Sequence, residues 1–557
     1  MPSEFLKSMV SMKFLLHYEF NEDVNGCRAT LFPIETPKLC LANFDPSSTS
    51  QSPSSNQLPC YASTHFNRAK PLAQTAHGIT YPSLTASQAI GNRAHILLQD
   101  AFLLEKLQSF NRERIPERVV HAKGAGAFGF FKVTNDVSKY TKAGFLKTIG
   151  RITRVAVRFS TVGGESGSAD TITDPKGFAT KFYTKEGIFD LVGNNIQVFP
   201  IRDPMLFPDL NRSRKRNPQT HLHDPTSFWD MTSLRPEMTM HTLYLFSDIA
   251  RPKSLAYIDG AGVHTFKMVN ADGIPNYVKF HWISNQKNKE FFDSDECVQM
   301  AGTNPDILLQ DLFDRIERNE YLSWNLYIQV MTFDQAEVHP QNPFDVTKFW
   351  KLEDFPMILV GTMILNQNPK DYFTEVEQLA FSPSHMVPGI EPSPDRMLHA
   401  RMFSYPDAQV YRLGVNFPQI PVNSCPFQVN TYQRDGHMNV GGNGAGAPNY
   451  FPNSFGGIHS IDEGAKSVKQ SIFSVSGDVD RVDTGNDDNF SLPRYYLEKL
   501  VAADEKKRII GNIAAFLGKA DKTVQTNYIK LIAYEISEEF GDSLKSILNL
   551  TSVHQKE

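Results

Sequence analysis

From Arg154 to Ser160 the chain reads Arg-Val-Ala-Val-Arg-Phe-Ser, with Val155, Val157 and Phe159 alternating against a polar set. A period of two belongs to a β-strand, so Arg158 and Ser160 share one face while the apolar residues take the other. Runs rich in β-branched and aromatic residues follow at 264–270, 277–284, 324–333 and 357–365. Long helical patterns do not separate all of these strands, as a parallel βαβ series would demand, so the middle of the chain is predicted to be a mostly antiparallel sheet. That constraint makes the chain an α+β protein, with helices gathered towards its ends.

Two helices stand out. Asp100 can cap a helix in which Leu103, Leu104, Leu107 and Phe110 form an apolar face. Near the C-terminus Ile509, Ile510, Ile513, Phe516 and Leu517 have the spacing of a buried helix face. The first 75 or so residues lack either period, and Asp45 to Cys60 is rich in Ser, Pro and Gln, so this extension reads as a flexible arm. Residues 367–480 are rich in Pro, Gly and Asn, as expected of a long segment that wraps over other elements.

Composition excludes several function classes. Lys plus Arg number 56 against 61 Asp plus Glu, a net charge of −5, which argues against nucleic-acid or anionic-membrane partners. No apolar stretch approaches the ~20 residues of a membrane helix. The short run Met12 to Leu16 ends at His17-Tyr18-Glu19, before a secretory signal is complete, so an intracellular protein is expected. The five cysteines, Cys27, Cys40, Cys60, Cys297 and Cys425, show no close pair, which speaks against a disulfide scaffold and a zinc site.

The densest chemical signal runs from Phe110 to Ala127, where alternating charges lead to His121 between two valines and a Gly-rich turn. By composition alone this is a salt-bridged loop with a core histidine. A second signal lies at Arg401-Met402-Phe403-Ser404-Tyr405-Pro406-Asp407. Here Ser393 reads as a helix N-cap and Pro394 as the first helical residue, which sets Arg401 and Tyr405 on one face at i, i+4, with Arg412 two turns further on. Taken alone, such a helix packs an aromatic and exposes two arginines. A free tyrosine has a pKa near 10, so a phenolate at neutral pH needs neighbouring positive charge, and Arg401 stands one turn away.

The first run resembles, nearly letter for letter, the active-site signature of the haem catalases, with Asn111 where many members carry Asp. The second resembles the same family's haem-ligand signature, in which a tyrosinate is the axial ligand. The resemblance covers residues 76–557 and implies the roles that follow. His121 is the distal acid/base group, Ser160 bonds its imidazole, and Asn194 is the distal amide. Val120, Phe199 and Phe207 line the distal cavity, Val162 its channel wall, and Asp174 the channel mouth. Tyr405 ligates the iron of haem b, Arg118, Arg158 and Arg412 hold the propionates, and His264 and Asp395 extend the hydrogen-bond chain behind Arg401. The implied architecture is a flexible extension (1–75), an arm and helix (76–120), a closed antiparallel β-barrel (121–366), a wrapping segment bearing the haem-ligand helix (367–480) and a C-terminal helical domain (481–557).

The implied function is the disproportionation of hydrogen peroxide by a homotetramer. Two alternatives are a related enzyme of fatty-acid hydroperoxides, which carries Thr where Val120 stands, and a catalase-like haem protein with lost or reduced turnover. Several positions depart from the family: Ile196-Gln197 replaces Thr-Pro, and Pro200 and Leu210 each replace a Phe, so the channel is expected to be wider or differently shaped. Met240, Ile249, Ile283 and Leu352 stand where NADPH-binding relatives carry His, Arg, Lys and His, which makes NADPH doubtful. Peroxisomal residence is the family expectation, but the tail Gln555-Lys556-Glu557 is no peroxisomal address, leaving the cytoplasm open.

Overall fold

In the computed structural model, residues 52–460, 470–485 and 487–550 are described. The expectations for Met12 to Leu16, for most of the extension and for the C-terminal tail lie outside these residues. Ten strands form one sheet: β1 (Gly124–Val133), β2 (Ile152–Ser160), β3 (Gly177–Thr184), β4 (Gly187–Asn194), β5 (Gly260–Ala261), β6 (Phe266–Val269), β7 (Pro275–Ser284), β8 (Leu322–Met331), β9 (Ile358–Gln367) and β10 (Ile390–Pro392). Every pairing is antiparallel, and the order β7-β5-β4-β3-β2-β1-β9-β8 closes on itself through β7 and β8. The result is an eight-stranded barrel, with β6 and β10 added along one side.

The barrel is filled with aromatic residues. Phe131, Phe159, Phe178, Phe182, Trp282 and Trp324 are all at most 1% exposed, and Phe131 meets Trp282 edge-on with 6.0 Å between ring centroids. The stretch after His121, expected to turn, is instead the strand β1. Its glycines mark close backbone approach: a Cβ on Gly129 would fall 1.9 Å from the Ile364 carbonyl, where the β1 and β9 register shifts.

The wrapping segment is fastened to the outside of the barrel by charge. Lys181 and Asp190 are register partners on β3 and β4 and form a fully buried 2.8 Å ion pair. Asp190 also bonds the Ser382 N–H at 3.0 Å and His385 Nδ1 at 2.8 Å. Strand β10 then pairs with β6, Pro392 opposite Phe266, and leads into the 18-residue helix Arg396–Leu413.

Three local expectations change. That helix is capped by Asp395, which accepts from the Leu398 N–H at 3.0 Å, while the Ser393 hydroxyl turns to the Thr265 carbonyl. The extension holds a helix at Gln57–His65, preceded by a turn in which Ser54 N–H bonds Asp314 at 2.8 Å, so at least residues 52–65 are structured. Its signal was weak because every residue of that helix is at least partly exposed and carries no core periodicity. Cys60 takes part in a disulfide, whereas Cys297 and Cys425 are free.

Helix Ala101–Asn111 forms with Asp100 as its cap, yet it buries none of its residues; Leu107 and Phe110 are 51% and 69% exposed. The C-terminal helix Ala503–Leu517 does bury Ile509, Ile510, Ile513 and Leu517, with Phe516 partly covered.

Breaking the Lys181–Asp190 pair from one side leaves a fully buried carboxylate that has lost its lysine and keeps only the Ser382 N–H and His385. Lys181→Met is therefore expected to cost roughly 3 to 5 kcal/mol of unfolding free energy in chemical denaturation. A cost below about 1 kcal/mol would mean that the pair does not fasten the segment.

Candidate active site

Strand register assembles the distal half. Gly124 pairs with Ser160, Ser160 with Gly177, Gly177 with Asn194, and Asn194 with Ala261, one lateral row across five strands. Ser160 and Asn194, distant in sequence, thus reach one face of the barrel wall, with glycines beside them. His121 lies three residues before this row and rests over Gly177, where a Cβ would sit 2.3 Å from Ser160 Oγ and 2.7 Å from His121 Nδ1. The imidazole bonds Ser160 Oγ through Nδ1 at 2.9 Å, which turns Nε2 to the other side of the ring.

His121 is held on both sides of its own backbone. Its φ is +66°, in the left-handed region, and its N–H bonds the Val162 carbonyl at 2.9 Å while its carbonyl accepts from Arg158 at 2.7 Å. Such conformations persist where surroundings impose them and concentrate at functional sites. Its ring keeps a partly exposed edge, but enclosure by protein, and then the charges of Arg158 and Arg401, push its pKa down to about 3. At neutral pH it is a neutral base.

The surrounding groups are placed by the same wall. The Asn194 side-chain oxygen is buried with no protein partner. Phe199 and Phe207 lie 6.3 Å apart, nearly parallel, and pack with Leu210, Val263 and Met397. Asp174, 2% exposed, accepts the Val162 and Gly163 N–H groups at 2.6 Å each and pairs with Arg214, so it anchors the turn beside His121. Of the departures, Ile196 is 1% exposed in the core shared with the C-terminal helices, and Gln197 donates to the Tyr244 hydroxyl.

Topology assembles the proximal half. Because β10 runs antiparallel to β6, the residues just after Pro392 lie beside those just before Phe266, which brings Asp395 to His264. His264 Nδ1 meets Asp395 Oδ2 at 2.8 Å, and its Nε2 meets Arg401 at 2.7 Å. Arginine can only donate, so Nε2 is the acceptor and Nδ1–H donates to Asp395. Burial keeps His264 below its ordinary pKa despite the carboxylate. Arg401 donates in turn to the Tyr405 phenol oxygen at 2.6 Å and to the Val192 carbonyl at 3.2 Å, two residues before Asn194.

Arg118, Arg158 and Arg412 converge closely enough that each lies in the field of the others. Arg118 donates to the carbonyls of Val376, Glu377 and Leu379, and Arg412 to those of Glu377 and Leu379. Burial, and secondarily Arg158, lowers the Arg412 pKa to about 10. Glu377 is the carboxylate paired with Arg118, at 3.5 Å, and Arg158 Nε is buried without a partner. This cationic excess suits an anionic ligand, and with the unpartnered Asn194 oxygen and the arginine-supported phenol it suits a haem with its propionates. Among the described residues no three His, Cys, Asp or Glu side chains cluster as a metal site. Val120 stands next to His121 and is partly exposed.

Sequence reasoning did not single out Gly177, or the Val376–Leu379 backbone that holds two arginines; only the register and the return of the chain bring them in.

A family model described as Catalase matches residues 74–457. A catalase of Drosophila melanogaster is 50% identical over 479 residues, covering 86% of this chain and 94% of its own length. Catalase-2 of Caenorhabditis elegans is 48% identical, covering 88% and 98%. A fungal catalase crystal structure superposes with a TM-score of 0.83 at 40% identity, over 86% of this chain and 96% of its own. Catalase A of Saccharomyces cerevisiae gives 0.82 at 38%, over 86% and 99%.

The depressed His121 pKa links stability to pH. The unfolded chain takes up this proton near pH 6.5 and the folded chain only near 3, so the contribution is present above 6.5 and lost as pH falls through that window. Between about pH 6 and 4, His121→Gln is expected to flatten the acid loss of unfolding free energy by about 1.4 kcal/mol per pH unit. Equal slopes in denaturant titrations of both proteins would contradict the assignment.

Proposed function

This chain belongs to the catalase family and is a haem enzyme that disproportionates hydrogen peroxide, and we propose that Tyr405 would hold the iron of a haem b, with His121 and Asn194 as the acid/base and amide groups that act on peroxide. The observation that carries this reading is the hydrogen bond in which the Arg401 guanidinium donates to the Tyr405 oxygen at 2.6 Å, so that a cation fixes the oxygen that would face the iron. Arg118, Arg158 and Arg412 would hold its propionates, and Val120, partly exposed beside His121, would help to hold it. When bound, haem supplies the two-electron redox centre at which one peroxide is reduced and a second oxidised.

The remaining work falls to side chains of this chain. His121 Nε2, neutral at working pH, takes a proton from the near oxygen of peroxide and returns it to the departing oxygen as water. Ser160 holds the ring through Nδ1, so the proton moves along one line. The Asn194 amide holds the far oxygen while charge separates across the O–O bond. Phe199, Phe207 and Val120 keep the approach apolar and narrow, which favours small peroxides. Catalase function is supported over the fatty-acid hydroperoxide alternative, and Val120 agrees with it.

We also read the protein as an intracellular homotetramer. The exposed Leu107 and Phe110 of the arm, with Phe403 and Tyr411 at 81% and 78% exposure on the haem-ligand helix, support burial by a second copy. No helix of the described residues is long and apolar enough to cross a membrane.

Tight NADPH binding is not part of this reading. Met240 is 2% exposed within the C-terminal helical core. The nearby cations are engaged, Arg251 with Ser294 at 2.8 Å and Lys253 with Glu296 at 2.9 Å. Each lost charge-assisted bond costs roughly 1.5 to 3 kcal/mol, so two losses weaken binding by about two to four orders of magnitude.

His121→Ala is expected to keep haem and lose oxygen evolution by about 10² to 10⁴. Turnover near wild type would remove His121 from its role. Purified protein is expected to carry no nicotinamide fluorescence after gel filtration, and a stoichiometric signal would overturn the NADPH reading.

A further inference from the structure

Immediately before His264 the backbone is strained. Val263 has φ +66°, a region that β-branched residues almost never enter. The His264 N–H bonds back to the Gly262 carbonyl at 2.7 Å, which closes a γ-turn of the rare kind with positive φ. This turn decides where the His264 ring points, and so whether its Nε2 faces Arg401. Strain of this kind lasts only where neighbours hold it in place.

Two contacts from β7 hold the turn: the Phe280 carbonyl accepts from the Gly262 N–H at 2.9 Å, and Lys279 binds the Val263 carbonyl. The Lys279 side chain is 3% exposed, and Nζ donates to the Val263 carbonyl at 3.0 Å. Among the described residues no carboxylate lies within ion-pair distance of it; burial pushes its pKa down to about 8 against the pull of Asp395 and Asp345, and Nζ also stands 5.5 Å from the centre of the Trp350 ring. A buried ammonium without a salt bridge is costly. An apolar residue would fill a core position at lower cost; the lysine's one hydrogen bond is to the strained carbonyl, with the Trp350 face as a weaker second contact.

We infer that Lys279 is a positioning residue of the proximal side: by holding the Val263 carbonyl it aims His264 at Arg401 and so sets the support that Arg401 gives Tyr405. The inference rests on the reading of Tyr405 as iron ligand.

The test uses purified holoprotein, with two readouts: the tyrosinate-to-iron charge-transfer bands, and the rate at which haem passes to an apoglobin acceptor. Lys279→Met is expected to shift the bands and speed haem loss about 10- to 100-fold. Adding Val263→Gly to the same chain is expected to restore both, since glycine adopts positive φ without help. Lys279→Met with unchanged bands and haem loss, alongside a Tyr405→Phe control that alters them, overturns the role of Lys279 and spares the ligand reading. A Tyr405→Phe control that leaves the bands unchanged overturns the ligand reading and this inference with it. Should Lys279→Met not fold, a folded double variant with wild-type bands supports the inference, and a double variant that does not fold or keeps shifted bands overturns it.

Discussion

The Arg401 guanidinium is the point at which both halves of the site meet. It is 8% exposed and reaches the Tyr405 oxygen, His264 Nε2 and the Val192 carbonyl, and its charge is felt at His121. One cation thereby holds the phenol oxygen on the proximal side and adds to the burial and the Arg158 charge that lower the distal imidazole's pKa. The bond to Val192 also ties the helix to the strand that ends in Asn194. Loss of this arginine would leave a buried histidine, a phenol and a carbonyl without their donor, so the geometry above depends on it.

Around that centre the barrel acts as a ruler. Antiparallel register places Ser160, Gly177 and Asn194 in one row, and the β10–β6 pair places Asp395 beside His264. Asp395 uses one carboxylate oxygen to cap the helix and the other to orient His264, so helix start and relay are fixed together. The arginines contribute where backbone carbonyls of the wrapping segment hold their guanidinium groups.

Sequence reading found what periodicity and local motif can show. The alternating runs became β2, β7, β8 and β9, and the aliphatic spacing at Ile509 to Leu517 became a buried face. The Gly-rich β1 was hidden, because its glycines serve close approach, Gly129 to β9, Gly124 to β2 and Gly126 to Val376, and imitate a turn. The face at Leu103 to Phe110 has helical spacing but stays exposed in a single chain, since periodicity shows that a face is apolar and not what covers it. His121, Asn194 and Tyr405 were singled out by ordered motifs that resemble a family's signatures, and register and helix place them as described above. Gly177, Lys279 and Val263 were not, because their roles arise from register and a positive φ that no local pattern encodes.

The central claim is that Arg401 sustains a tyrosinate at Tyr405 on the iron. Resonance Raman spectra of purified holoprotein, excited in the charge-transfer band, test it most directly. Tyrosinate ring modes are predicted in the wild type, with clear loss of intensity in Arg401→Leu. Their absence from haem-replete wild-type protein, or their full persistence in Arg401→Leu, would contradict the account.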